Sequence, residues 1–358
     1  MTPSDLDLID PIIPIDPIVI VGAGAAGLLA AVTAASAADA STRVLLLERT
    51  RDGGRKILLS GGGRCNVLPS ATEPARFVTD SSPNTLRKLL LSWPLAEQRR
   101  FFEEEAGIPL ALEPETGKLF PASNRARDVR DRLLALAKSR GVEIRYGVTV
   151  DGIEPPISPD AAWTIRLAPH EPHESGDLAT PAIRLAPRKG GTLRAAAVVL
   201  ATGGLSMPGT GSDGTGLGLA RRLGHTVRET YPALTPLTAA GNPAAPHAPL
   251  AGLSAVVTLR TPLIPGRPGT ASVAQGGFLF THRGYSGPAV LDLSHRAVRS
   301  RLAGGPRQPL LVQWTELEAD AWDELLRTGS GTIAGLLRRH LPERLATTLA
   351  AEAGVEPG

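Results

Sequence analysis

Residues 17–27 read PIVIVGAGAAG: an apolar run, Pro17 to Val21, passes directly into the glycine pattern Gly22-x-Gly24-x-x-Gly27. Small, helix-forming residues follow (LLAAVTAASAA), and RVLLLE, Arg43 to Glu48, reads as a second strand. Strand, tight turn, helix and strand together make a β-α-β unit of about 30 residues. In that setting each glycine has a task. The first permits the sharp turn, the second lets the backbone approach a pyrophosphate, and the third allows helix and strand to pack closely. The phosphates would then sit at the positive helix N-terminus, over Gly22, Gly24, Ala25, Ala26 and Gly27. Glu48 closes the second strand 21 residues after Gly27, where a carboxylate accepts ribose hydroxyls and disfavours a 2′-phosphate. The unit therefore suits FAD or NAD better than NADP. The bland alternative is a glycine-rich turn that binds nothing.

Shortly after Glu48 and Arg49 comes GRKILLSGGGRCN, Gly54 to Asn66. Three consecutive glycines, Gly61, Gly62 and Gly63, give up conformational entropy, which calls for close backbone approach or unusual φ values. Their N–H groups could form an anion nest, with Arg55 or Lys56 neutralising a phosphate. As surface residues, Arg55, Lys56 and Arg64 would instead be solvated charges on a loop. Cys65 is the only cysteine and reads better as a packed small side chain than as a redox thiol. One cysteine excludes an internal disulfide framework and a multi-cysteine zinc site, and fits a reducing cytoplasm.

Farther along, ATGG (Thr202, Gly203 and Gly204 after Ala201) follows an apolar strand and offers a second close approach of backbone. GTGSDGTG, Gly209 to Gly216, reads as another helix start, with Asp213 as its N-cap. In FTHRGYSGP, Phe280 to Pro288, His282 and Tyr285 are candidate proton donors, against the plainer reading of a β-turn. G-x-S-x-G and H-E-x-x-H are both absent from the chain, so neither a nucleophile elbow nor that zinc motif is available.

The 358 residues, 42% hydrophobic and 20% charged, suit a globular protein of two domains or of one domain with an insertion. Nothing approaches the ~18 apolar residues of a membrane span. The pI is about 9.3, but the formal net charge is only +3 and no block of cations appears. Residues 1–14 read as a disordered leader. Helical periodicity runs from Thr85 to Ala106 despite Pro94, and from Ala126 to Arg140, ending at Gly141. A strand pair is expected in VEIRYGVTV, and a small β-meander in WTIRL, AIRLA and LRAAAVVL that returns to the sheet through Ala197 to Ala201. Beyond Pro232 the texture turns to short strands and frequent turns, GGFLFTHRGYSGPAVLDLS included. Helices from Asp320 to Ala351 close the chain. The expected organisation is 15–231 as a Rossmann-like domain and 232–358 as a second one, β-rich over 232–315 and helical over 316–358.

GAGAAG, GRKILLSGGGRCN, VVLATGG, GTGSDGTG with LGH and PALTPL, and FTHRGYSGP occur in one order. In this the chain resembles the BaiN-like bacterial flavoproteins, the RdsA/BaiN/aminoacetone-oxidase-like group, from Ile18 to about Ala351. SGGGRCN is the most specific element. The resemblance implies an α/β fold: an FAD-binding, Rossmann-like domain of the two-dinucleotide-binding-domain type, with an inserted β-barrel and helical part. It implies an FAD-dependent oxidoreductase, either a C=C reductase or an amine-type oxidase, with NADH or NADPH as possible electron donor. It assigns the pyrophosphate to Gly22 through Gly27, the ribose to Glu48, and a backbone contact on the adenine side to Val150. Arg49, Arg55, Lys56, Gly61 to Asn66 and Thr202 to Gly204 would lie around the same FAD. Such proteins return to the FAD domain through a GLYFAGE...GGYN segment, absent here after Leu310. The expectation is therefore a truncated chain with weak FAD affinity and poor solubility. Two alternatives stand beside an active cytoplasmic oxidoreductase: an incompetent fragment, and a flavin-dependent RNA-modifying protein that exploits the dispersed arginines. The substrate is not implied, and no membrane or specific protein partner is expected.

Overall fold

The structure is a computed structural model; it describes residues 15–169, 190–238, 247–263, 271–304 and 306–355. The leader at 1–14, the expected AIRLA strand at 182–186 and most of the loop before it lie outside the described residues, as does much of the Pro/Ala-rich stretch at 239–246. The chain divides into two compact units, Met1–Arg228 and Glu229–Gly358.

The first unit opens with β1 (Ile18–Val21), α1 (Ala25–Ala37) and β2 (Val44–Glu48). Every residue of β2 is buried, as in a parallel strand covered on both faces. Strand alternation sorts the side chains into two cores: Ile20, Val44 and Leu46 on one face, Val19, Val21, Leu45 and Leu47 on the other. Helix α1 is rich in alanine, the best helix former. It buries Gly27, Leu28, Ala31 and Val32, a stripe of mostly small residues that lets the helix lie close to the sheet.

Next come α2 (Arg55–Leu59), β3 (Leu68–Pro69), α3 (Pro83–Ser92) and α4 (Leu95–Arg100). The single helix expected over Thr85–Ala106 is broken. Pro94 lacks an N–H and pushes the residue before it out of the helical region, and Trp93 accordingly sits at φ −144°, ψ 87°. The chain then continues through α4 into a π-helical turn, Phe101–Glu105. β4 (Leu110–Glu113) and β5 (Lys118–Pro121) pair with β3 in the order β3-β5-β4. Helix α5 (Ala126–Ser139) buries Ala126, Val129, Leu133 and Ala137 on one face and is followed by Gly141 at φ +80°.

β6 (Glu143–Tyr146) and β7 (Val150–Glu154) were expected to pair with each other, and they do not. β6 runs parallel to β2, whereas β7 starts an antiparallel meander with β8 (Trp163–Leu167) and β9 (Gly191–Ala195). Between them, Gly147 N donates to Thr50 O (3.1 Å) and Val148 N to Glu48 O (2.9 Å). Those bonds carry the chain past the end of β2 instead of folding it back. LRAAAVVL likewise divides between two sheets, because β10 (Ala197–Leu200) pairs in parallel with β1. The parallel sheet has the order β10-β1-β2-β6. Strand order reverses beside β1, which opens a crevice at the carboxyl ends of β1 and β10. α6 (Thr215–Arg222) completes the unit.

The second unit holds β11 (Leu237–Thr238), β12 (Ser254–Thr261), β13 (Ser272–Thr281), β14 (Gly284–Ser286), α7 (Pro288–Leu302), β15 (Leu311–Gln313), α8 (Ala319–Thr328), α9 (Ile333–Arg338) and α10 (Glu343–Glu352). PAVLDLS, expected among strands and turns, begins α7; Pro288 stands at its first position, where a fixed φ and a missing N–H do no harm. The strands form one antiparallel sheet, β11-β14-β13-β12-β15. Among the described residues its two edge strands, β11 and β15, do not pair with each other. Its core joins Val257, Leu259, Phe278 and Phe280 to Leu293 of α7 and Leu345 of α10. No helix among the described residues is long and apolar enough to cross a membrane.

Candidate functional site

The turn from β1 to α1 separates its three glycines by environment. A Cβ on Gly22, which sits at φ +104°, would lie 2.7 Å from Ala201 O, and one on Gly27 would lie 1.8 Å from Gly22 O. Those two positions are closed by backbone. A Cβ on Gly24 would meet nothing within 4 Å, and Gly24 lines a cavity of about 800 Å³. Gly24 is also the N-cap of α1, with no side-chain cap and no acidic residue in the first turn. The helix thus turns an uncapped positive end toward open space, the arrangement that receives an anion.

The cavity lies at the carboxyl ends of the parallel strands. Val21 ends β1, Glu48 ends β2, Leu200 ends β10, and Gly216 and Leu219 of α6 close another side. Glu48 is buried. Its Oε1 accepts from Thr50 N (2.8 Å) and Thr50 Oγ1 (2.7 Å), and its Oε2 accepts from Ala23 N (2.8 Å). Each carboxylate oxygen takes about two donors, so Oε2 retains room for one more. Tyr146, at the end of β6, has its phenol pKa pushed up by burial and then by the charge of Glu48.

Three cations line the same cavity, each already engaged. Arg49 pairs with Asp213 (2.9 Å), Arg55 with Asp52 (2.8 Å), and Lys56 donates to Ser206 Oγ (2.9 Å). Such partly exposed pairs are worth ~0–1 kcal/mol, so an incoming phosphate can exchange them at little cost. Asp213 is held at about 2, chiefly by the Thr215 hydroxyl, with Arg49 adding to the effect. It receives Thr215 N (3.1 Å) and Oγ1 (2.6 Å) just ahead of α6, although the residue at the N-cap itself is Gly214.

Of the residues expected at the cofactor, Gly22, Gly24, Ala25, Ala26 and Glu48 line the cavity. Arg49, Arg55, Lys56, Asn66, Val150, Thr202 and Gly203 line it too. Gly27 serves the packing of α1 instead. Gly61, Gly62, Gly63 and Gly204 do not line it. Gly61 is at φ +57°, its Cβ position 2.9 Å from both Asn66 N and the Phe120 ring, so its work is to let the loop close against β5. Arg64 is turned away as well, paired with Glu113 (2.8 Å) with its guanidinium 4.1 Å over the Phe120 ring. Cys65 is buried at φ +64° with its thiol pKa pushed up by desolvation, which leaves it poorly nucleophilic. His282 and Tyr285 belong to the second unit: His282 is exposed in the turn after β13, and Tyr285 lines a separate cavity there. The sequence reading missed Thr50, which orders Glu48, and Gly216, whose Cβ would lie 2.0 Å from Thr202 Oγ1. The position of Thr50 two residues after the strand-end acid was the available signal.

Among the described residues there is no cluster of metal-ligating side chains. A sequence profile of the HI0933-like protein Rossmann domain matches residues 16–344. A ribosomal RNA dihydrouridine synthase of Escherichia coli (strain K12) is 32% identical over 279 residues, covering 77% of this chain and 60% of its own length. Its namesake in Haemophilus influenzae is 31% identical over 255 residues, covering 70% and 55%. A 3-dehydro-bile acid delta(4,6)-reductase of Clostridium scindens is 28% identical over 205 residues, covering 57% and 43%. The chain thus spans about half the length of these relatives. With the profile running from just before β1 into α10, this protein belongs to the HI0933-like family, the BaiN-like group that its motifs resemble.

Proposed function

We propose that the chain forms the FAD-binding part of a flavin-dependent oxidoreductase. The observation that carries this reading is the open face of Gly24 at the uncapped N-terminus of α1, in one cavity with the spare acceptor of Glu48. The residues present fit the cofactor. The first turn of α1 would hold the pyrophosphate, Glu48 Oε2 a ribose hydroxyl, and Arg49, Arg55 and Lys56 the remaining phosphate charge. Val150 and Thr149 wall the side below β7, and Thr202 and Gly203 the side below β10. When bound, the flavin would exchange a hydride with substrate through its N5 position. The protein's own contribution is to bind, to orient, and to hold the Glu48 carboxylate in place through Ala23 N and Thr50.

For the substrate we favour reduction of a conjugated C=C bond over amine-type oxidation, because the names of all three relatives denote adding hydrogen to an unsaturated ring. The basic pI of about 9.3 and the two relatives named for ribosomal RNA favour an RNA-borne base as one form of that substrate, in the cytoplasm, with NADH or NADPH as donor. The test is the visible absorption spectrum of the purified chain, before and after adding FAD. Flavin bands that shift and saturate at one FAD per chain on titration with added FAD are expected. A protein that remains colourless with added FAD would overturn the reading for this chain, and no RNA retention at low salt would remove the RNA-borne substrate.

A further inference from the structure

We propose that the second unit carries a small-molecule site of its own: an aromatic cavity that takes a flat apolar ring bearing a hydroxyl group, anchored on the phenol of Tyr285. The cavity measures about 330 Å³, within the ~300–1,000 Å³ of small-ligand pockets. It is lined from the sheet and from α7, with Leu259, Phe278, Val290 and Trp314 supplying apolar wall. Phe278 stands edge-on to Trp314 (centroids 5.1 Å apart, 76°) and tilted to Tyr285 (5.4 Å, 41°). Behind them Phe280 stacks on Trp314 at 13°. A guest ring would therefore meet both faces and edges of fixed aromatic groups, the contacts that orient flat molecules.

Four polar side chains, Thr238, His247, Tyr285 and Gln308, interrupt the apolar wall, and Glu352 sets the hydrogens of the Tyr285 and His247 pair. Tyr285 Oη lies 2.9 Å from His247 Nδ1, and His247 Nε2 lies 2.5 Å from Glu352 Oε1 on α10. An ionised carboxylate only accepts, so Nε2 carries a hydrogen. In the neutral imidazole Nδ1 is then the acceptor, and the phenol O–H donates to it. This uses the one proton of Tyr285 and leaves its oxygen as an acceptor, suited to a ligand hydroxyl that donates. Burial and the Glu352 charge push the Tyr285 phenol pKa up, which keeps it in this neutral form. The three residues come from the turn before β12, from β14 and from α10, 38 and 105 positions apart along the chain.

The test titrates the full chain, with FAD present, with 2-naphthol and separately with its methyl ether, a guest of the same shape that cannot donate. The expected result is one 2-naphthol per chain, bound about tenfold tighter than the ether, the value of one neutral hydrogen bond. Tyr285→Phe should bring 2-naphthol to the affinity of the ether, and Ala297→Trp, which fills the cavity from α7, should abolish both. Absence of saturable 2-naphthol binding in the millimolar range would overturn the proposal. So would a preference for 2-naphthol that persists in Tyr285→Phe. Circular dichroism reports whether Ala297→Trp is folded: unchanged binding to a folded variant refutes the site, and if the variant unfolds, the Tyr285→Phe comparison alone decides.

Discussion

Replacing Gly24 and Gly27 by alanine, one at a time, should separate binding from folding within a single six-residue motif. At Gly27 the new Cβ would lie 1.8 Å from Gly22 O, where ordinary contact begins near 3.4 Å. The obstacle is backbone on the β1 turn, so relief requires α1 to move off the sheet. The expected cost is at the upper end of overpacking, about 3 kcal/mol, or roughly 6–12 °C in Tm for a domain of this size. At Gly24 the Cβ enters open space and φ is −75°, so the backbone is unstrained. The entropy that alanine removes from the unfolded chain contributes ~0.4–1 kcal/mol, and its poorer N-capping costs a similar amount, leaving Tm within about 2 °C. The same methyl group stands where a phosphate must approach the helix end. FAD affinity should fall about 10- to 100-fold, equivalent to about 1.4–2.8 kcal/mol. Thermal melts of the apo-protein followed by circular dichroism, and FAD titrations followed by flavin fluorescence, give the two readouts. A Gly24→Ala protein that binds FAD as well as the parent would refute the assignment of that open face to the cofactor. A Gly27→Ala protein with unchanged Tm would refute the packing argument.

Glu48→Gln should lower both stability and FAD affinity, because its amide NH₂ would face either the Ala23 or the Thr50 donors and strand one of them at ~1–3 kcal/mol; unchanged flavin titration and Tm would count against the role given to Glu48. His295 of α7 makes the folded protein acid-sensitive. It is buried, its Nδ1 donates to Asp292 O (3.0 Å), and its Nε2 has no partner among the described residues. Burial, with Arg296 adding to it, holds its pKa below the ordinary 6.5. The unfolded chain therefore takes up the proton first, so this contribution to stability is complete above pH ~6.5 and is lost as pH falls toward the folded value. Urea midpoints between pH 7.5 and 5.5 should decline in the parent and flatten in His295→Leu; equal slopes would contradict the assignment.

The β1-α1-β2 unit, the capped end of α5 at Gly141 and the closing helices were legible along the chain. Apolar period, helix propensity and glycine φ preferences act between residues a few positions apart, so they leave their mark in local order. Long-range pairing leaves no such mark. VEIRY and VTVDG look alike as strands, yet β6 joins β2 while β7 joins β8, because bonds to Glu48 and Thr50 carry the chain between them across the end of β2. Arg64 sits in the most distinctive motif of the chain, but its charge is spent on Glu113 and Phe120, partners that only the folding of β4 and β5 against the loop supplies. The Tyr285, His247 and Glu352 chain was only one-third visible, since nothing near His247 or Glu352 in the sequence announces a partner 38 or 105 residues away. Sequence by itself determined where the backbone could turn, and with the glycines of residues 22–27 which cofactor chemistry to expect. Tertiary structure decided which strands share a sheet and which charges remain at the cavity, because burying one apolar face against another brings together groups that the chain order keeps apart.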